Sequence, residues 1–262
     1  MSFSPKRAVG CGCGCILAVV VVIALIGWAL SFMGGTSPIR TLQQVPSDVP
    51  PARGKEVPAI DVDAPGRTSD KLDFWAEPLS QETSIPAAAL RAYGNAELIA
   101  AQSYPDCHIS WNTLAGIGYV ETRHGTYTGK VFGGASIESD GVVRPTILGI
   151  QLDGSPGFES IPDSDNGELD GDPEFDRAVG PMQFIPQSWE KFGRDASGDG
   201  VADPNQIDDA AVAAANLLCS RGGDLATADG WTRAVRSYNN SRQYLIDVRD
   251  AAASYAIGQP PL

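Results

Sequence analysis

At 262 residues the chain is long enough for one domain with its own core plus extensions, and a core of that size needs no staples. It carries 19 Lys and Arg against 32 Asp and Glu, a net charge of −13. That balance argues against nucleic acid as a partner, because phosphate contacts need clustered cations; an acidic surface serves chiefly solubility.

Near the N-terminus, Lys6 and Arg7 precede ILAVVVVIALIGWALSFM, residues 16–33, a run without a charge. As a helix rising about 1.5 Å per residue, it would span about 27 Å, close to the hydrocarbon thickness of a bilayer. We expect an uncleaved single-pass anchor, with residues 1–15 cytoplasmic and the remainder outside the cell membrane. A cleaved signal peptide competes, but its apolar region usually runs about 7–15 residues, and no small-x-small cleavage motif follows closely.

Five cysteines divide into two sets. Cys11, Cys13 and Cys15 alternate with glycines at the membrane edge. Cys107 and Cys219 are alone in the external portion, where an oxidising compartment favours a disulfide between them; two buried free thiols are the alternative.

Residues 34–83 are rich in Pro, Gly, Ser and Asp and poor in periodic apolar positions. The composition predicts a disordered tether, about 50 residues with a root-mean-square reach of about 40 Å. Order is expected from Ser84, a cap candidate with Pro86 just inside, over a folded region 84–257 and a short tail 258–262. The spacing predicts helices in SIPAAALRAYGNAELIAAQ, in ISWNTLAGIGYVETRHG (stopping at Gly125) and in DDAAVAAANLLCSRGG (stopping at Gly222-Gly223). WTRAVRSYNNSRQYLIDVRDAAASYA gives one or two more, broken near Asn239-Asn240.

An irregular segment, residues 126–177, separates these helices. Between 138 and 176 it holds 11 acidic side chains and one basic. VVRPTILGI offers a small hairpin or ribbon; the whole reads either as a flap beside a substrate or as a solvated insertion.

The chemistry centres on Glu121, near the end of an apolar helix. A carboxyl in low-dielectric surroundings resists ionising, so it can hold a proton near neutral pH. The plainer reading is a surface pair with Arg123 or His124. A second feature is AVGPMQFIPQSW, residues 178–189, where a Gly-Pro turn sets one amide, Gln183, among Met182, Phe184, Ile185 and Trp189. His108 and His124 are too few for an ordinary zinc site, and no serine-elbow or phosphate-loop motif is present.

GIGYVETRHG, AVGPMQFIPQSW and AVRSYNNSRQYLIDV, in that order, resemble the lytic murein transglycosylases of the membrane-bound B type. The likeness covers residues 111–256. It implies a mainly α, lysozyme-like (α+β) domain carrying the irregular acidic insertion. It also implies Glu121 as sole catalytic acid and base, and a cleft in which Gln183, Met182, Tyr238, Asn239 and Tyr244 meet the sugar. Amides on an apolar platform suit N-acetyl groups and hydroxyls, and each tyrosine offers a flat face for a sugar ring and a hydroxyl for polar contact. The partners implied are peptidoglycan glycan strands, the membrane through the N-terminal helix, and cell-wall synthesis or division proteins, in a bacterial cell.

With one carboxylate the resemblance implies cleavage without water: Glu121 protonates the glycosidic oxygen, then takes the proton of the muramyl 6-hydroxyl as a 1,6-anhydro ring closes. Two-carboxylate glycosidases differ in this respect. A hydrolytic muramidase and a non-catalytic peptidoglycan-binding scaffold are the competing readings. RDASGDGVADPNQIDDAA resembles the first half of an EF-hand loop, with Asp195, Ser197 and Asp199 followed by Gly200. The twelfth position is Gln206 instead of Glu. The family likeness supplies Asp209 as the closing ligand beside the carbonyl of Val201, with Asp203 as an alternative; bound structural calcium and an acidic turn both stay open. No cofactor is expected for catalysis.

Overall fold

The structure is a computed structural model that describes residues 42–127 and 134–261. The expected anchor and Cys11, Cys13 and Cys15 lie outside the described residues. Within these, no helix is long and apolar enough to cross a membrane. The compact unit described below begins at Gln44.

A 3-10 turn (Thr68–Leu72) leads into α1 (Asp73–Thr83), α2 (Ala87–Ser103) and α3 (Trp111–Thr122). Four short strands follow, β1 (Ser136–Ile137), β2 (Val143–Arg144), β3 (Leu148–Gln151) and β4 (Arg177–Val179). Then come α4 (Pro186–Phe192), α5 (Ile207–Gly222), α6 (Ala228–Tyr238) and α7 (Arg242–Ala256). The mainly α expectation holds. Helix α3 packs against α7, α2 against α5, and α5 against α6. The caps are local: Gln206, Thr227 and Ser241 side chains accept N–H groups at the starts of α5, α6 and α7. Helix α3 starts differently, its Trp111 N–H bonding the Glu97 carboxylate at 2.6 Å.

Helix α3 is buried on nearly every face, from Trp111 through Gly118. Gly118 permits this, because a Cβ there would run into the Tyr93 hydroxyl. Cys107, just before α3, is bonded to Cys219 of α5 across 112 residues, as expected. In the chain-entropy account a loop that long contributes about 4–5 kcal/mol.

The tether expectation is corrected for residues 44–83. Asn112 donates to the Ala52 carbonyl at 3.0 Å and accepts from Gly54 N–H at 3.0 Å, while Trp111 Nε1 donates to Lys55 O at 2.9 Å. Arg67 pairs with the buried Asp208 at 2.7 Å. Leu72, Trp75 and Leu79 are buried in the main core, and Trp75 meets Trp111 edge-on at 5.5 Å. Composition averaged over the segment hid KLDFWAEPLS, whose Leu72, Trp75, Ala76 and Leu79 have the i, i+3, i+4, i+7 spacing of an amphipathic helix. Ser84 is likewise no N-cap: it is the left-handed residue (φ 62°) that ends α1.

The acidic segment forms two ribbons instead of one hairpin. β1 pairs antiparallel with β2, and β3 with β4, Leu148 opposite Val179 and Gln151 opposite Arg177. Its carboxylates replace regular structure by accepting backbone N–H groups. Asp163 accepts from residues 165–167, Asp170 from Asp172 and Arg177, and Asp172 from Glu174 and Phe175. Arg177 closes on Asp172 at 2.8 Å.

Trp75→Ala tests the new boundary. A core tryptophan loses about 3–5 kcal/mol on truncation, whereas a tether position stays within about 0.5 kcal/mol. Chemical denaturation of the full chain should give the first result; the second would return residues 68–83 to the tether.

Candidate active site

Glu121 is the penultimate residue of α3. Its Oε1 accepts a hydrogen bond from the Tyr244 hydroxyl of α7 at 2.5 Å. The ring of Tyr238, at the end of α6, lies parallel to that of Tyr244 with centroids 6.4 Å apart. The residue is partly buried, with protein packed around its carboxyl. Burial pushes its pKa from 4.5 up to about 7, and the Tyr244 hydrogen bond pulls the other way. Among the described residues, no charged group is a cause of the shift.

The neighbours expected to pair with Glu121 are engaged elsewhere. The Arg123 guanidinium lies 3.8 Å over the Tyr119 ring. His124 is buried between the hydroxyls of Tyr93, 3.1 Å from Nδ1, and Tyr255, 2.8 Å from Nε2. Burial drives its pKa down to about 3, so the imidazole is neutral. The helix also stops earlier than Gly125: Arg123, His124 and Gly125 are all left-handed, with φ 52°, 61° and 78°.

That reversal docks onto the Gly-Pro turn. Val179 and Phe184 exchange hydrogen bonds of 2.8 and 3.0 Å, which closes a tight tip over Gly180–Gln183. Gly180 has φ 77°, and a Cβ there would collide with the Pro204 carbonyl oxygen. The Thr122 hydroxyl donates to Pro181 O at 2.6 Å and accepts from Gly125 N–H at 2.8 Å. One threonine therefore holds the residue after Glu121 against the turn that presents Gln183. Gln183 is itself left-handed, φ 50°, and its Nε2 donates to Gly180 O at 2.9 Å.

A groove of 440 Å³ runs past Gln183, Tyr238 and Asn239, with Leu152 and Ile161 of the acidic insertion on its other side. Two expectations change here. Met182 is fully buried, so its side chain belongs to the platform and does not reach the groove. The hydroxyls of Tyr238 and Tyr244 are spent internally, on Met182 O at 2.6 Å and on Glu121. Asn239 is exposed at the end of α6 and accepts from Ser241 N–H at 3.0 Å.

In the 195–209 loop the carboxylates also face the backbone. Asp195 accepts from Gly198 and Gly200, and Asp199 from Val201. Ser197 Oγ bonds Asp195 at 3.2 Å, and Val201 is exposed. Asp209 is fully buried; it accepts from Ala196, Ser197 and Asp203, and burial, with Asp195 as a like-charged neighbour, raises its pKa to about 6. Among the described residues, the acidic groups close enough to share a metal ion are Asp163, Asp165 and Asp176 of the insertion. Sequence reasoning missed Thr122, although it sits inside the quoted motif, and Tyr93 and Tyr255, for which the sequence carries no local signal.

The Glu121 carboxyl should titrate near pH 7 by carbon NMR of labelled protein. Tyr244→Phe removes the bond that favours the carboxylate, so the midpoint should move higher; a midpoint at 4.5 in both proteins contradicts the burial account. Because the folded value exceeds 4.5, ionising this group costs stability as pH rises through 7. Glu121→Gln should therefore gain on the order of 2 kcal/mol over the parent at pH 8 and nothing below pH 4.

Residues 175–248 match the family profile described as the transglycosylase SLT domain. No curated protein matches. The similar solved structures include the Escherichia coli lytic transglycosylase Slt35 in complex with bulgecin A and the same protein in complex with calcium. Each is 17% identical over 74% of this chain, at a TM-score of 0.41, and is covered over 79% and 80% of its own length. A 36 kDa muramidase/transglycosylase is 16% identical over 74% of this chain and 81% of its own, also at 0.41. The profile match spans less than half of the chain; AVGPMQFIPQSW and AVRSYNNSRQYLIDV lie within it, and Glu121 lies before it.

Proposed function

We propose that the enzyme cleaves the β-1,4 bond between N-acetylmuramic acid and N-acetylglucosamine in peptidoglycan, leaving a 1,6-anhydromuramyl end. The observation that carries this reading is the setting of Glu121: a partly buried carboxyl, raised to about 7 by burial, hydrogen-bonded to Tyr244 and without a charged partner among the described residues. Near neutral pH a good fraction carries the proton needed at the glycosidic oxygen. The bond breaks as that proton transfers, and positive charge develops at the anomeric carbon, where the substrate's own acetamido oxygen is the available nucleophile. Glu121, now a carboxylate accepting from Tyr244, takes the proton of the muramyl 6-hydroxyl as that oxygen closes the ring. Gln183 and Asn239 supply amide contacts along the groove, and Tyr238 contributes to its apolar lining.

Residues 16–33 fit a membrane anchor, with the catalytic body on the cell-wall side. The 195–209 loop offers only oxygen donors, which suits calcium. Asp195 helps to raise the pKa of the buried Asp209, a repulsion that a cation would relieve. Asp195, Ser197, Asp199, Asp209 and the Val201 carbonyl would hold the ion, in a structural role.

Purified peptidoglycan treated with the full chain should yield muropeptides lighter by one water than hydrolytic products, and Glu121→Gln should reduce their release by at least about a hundredfold, the usual weight of a general acid. Reducing ends would make the enzyme a muramidase. Intact strands would leave a binding module. Separately, saturating calcium should raise the melting temperature of the chelator-treated protein and leave Asp195→Asn unmoved; no shift in either removes calcium from the account.

A further inference from the structure

The groove beyond Gln183 carries two side chains that an uncharged sugar does not need. Glu159 projects from the acidic insertion, and Arg236 from the last turn of α6; both line the 440 Å³ groove together with Ser188 and Ile161. Both are exposed. Neither has an ion pair or side-chain hydrogen bond among the described residues. In the same segment Asp163, Asp165, Asp170, Asp172 and Asp176 are committed to N–H groups or Arg177, and Glu168 and Glu174, which share the lack of such a bond, do not line the groove. Arg236 does favour the negative end of its helix, yet a guanidinium that serves only the dipole need not face a groove.

Glycan hydroxyls and N-acetyl groups are met by neutral donors and acceptors, which Gln183, Ser188 and Asn239 provide. A free carboxylate and a free guanidinium lining one groove call instead for a ligand bearing both charges. On peptidoglycan, the group of that kind is the short peptide attached through the lactyl ether of the muramyl residue, with free carboxylates and an amine. We propose that this groove binds the peptide arm of the strand, Arg236 taking a carboxylate and Glu159 an ammonium, with Leu152 and Ile161 against its aliphatic side chains. The insertion is then a specificity wall. This inference rests on the transglycosylase reading above and says which strands that reaction prefers.

The test compares two polymers, peptidoglycan with its peptides intact and the same material stripped by a muramyl-alanine amidase. Initial rates of 1,6-anhydro product release by the full chain give the ratio of intact to stripped. The parent should favour the intact polymer. Arg236→Gln and Glu159→Gln should each lower that ratio about threefold to fivefold, the scale of an exposed ion pair, at an unchanged melting temperature. Arg221→Gln, a surface cation that does not line the groove, should keep the parent's ratio. A parent ratio of one, or variants that leave a higher ratio unmoved, overturns the peptide site while leaving the reaction intact. Absence of anhydro ends from both polymers overturns the reaction itself, and the peptide site with it.

Discussion

The hydrogen bond between Tyr244 and Glu121 joins the two helices around which the body is built. Helix α3 can bring a carboxyl into the interior only because α7 packs along it and delivers one hydroxyl to its end. Burial alone would push the acid far up and hold it neutral. The tyrosine offsets part of that, so the group rests where it can both give and take a proton near neutral pH. The dependence runs outward from there. A helix buried on nearly every face needs small residues where neighbours approach, and Gly118 under Tyr93 is one such place.

The second constraint is how α3 ends. Three consecutive left-handed residues, Arg123 to Gly125, reverse the chain at once after Thr122. Two of the three carry side chains in a conformation that favours glycine. The compensations are visible: Arg123 folds back over Tyr119, and His124 is held from both sides by tyrosine hydroxyls. The reversal leaves Thr122 free to grip the Pro181 carbonyl. Acid and amide thus belong to one rigid assembly, although 62 positions separate Glu121 from Gln183 in the chain.

Much of this was legible from residues alone, for reasons that differ by element. Helices α2, α3, α5, α6 and α7 announced themselves by apolar spacing and by breaks at Gly222-Gly223 and Asn239-Asn240, all local signals. The Gly-Pro turn was legible because proline and glycine restrict the backbone independently of context. Helix α1 was lost because proline-rich flanks diluted a four-residue stripe. The partners of Tyr238, Tyr244 and His124 were illegible because they arise from contacts 31 to 131 residues apart. Two of them reverse the expected use of the tyrosines: hydroxyls that seemed available to sugar are the groups that set the platform and tune the acid. The acidic insertion misled in the opposite direction. Its charges suggested solvation, yet many carboxylates fold the segment by taking N–H groups that a sheet would otherwise satisfy.

The central claim is that one carboxyl does both proton transfers and water takes no part. Digestion of peptidoglycan in ¹⁸O-labelled water, followed by mass spectrometry of the new ends, tests it most directly. The account predicts 1,6-anhydro ends without label. Reducing ends carrying one ¹⁸O would contradict it, because they require water at the anomeric carbon and a second group to activate it.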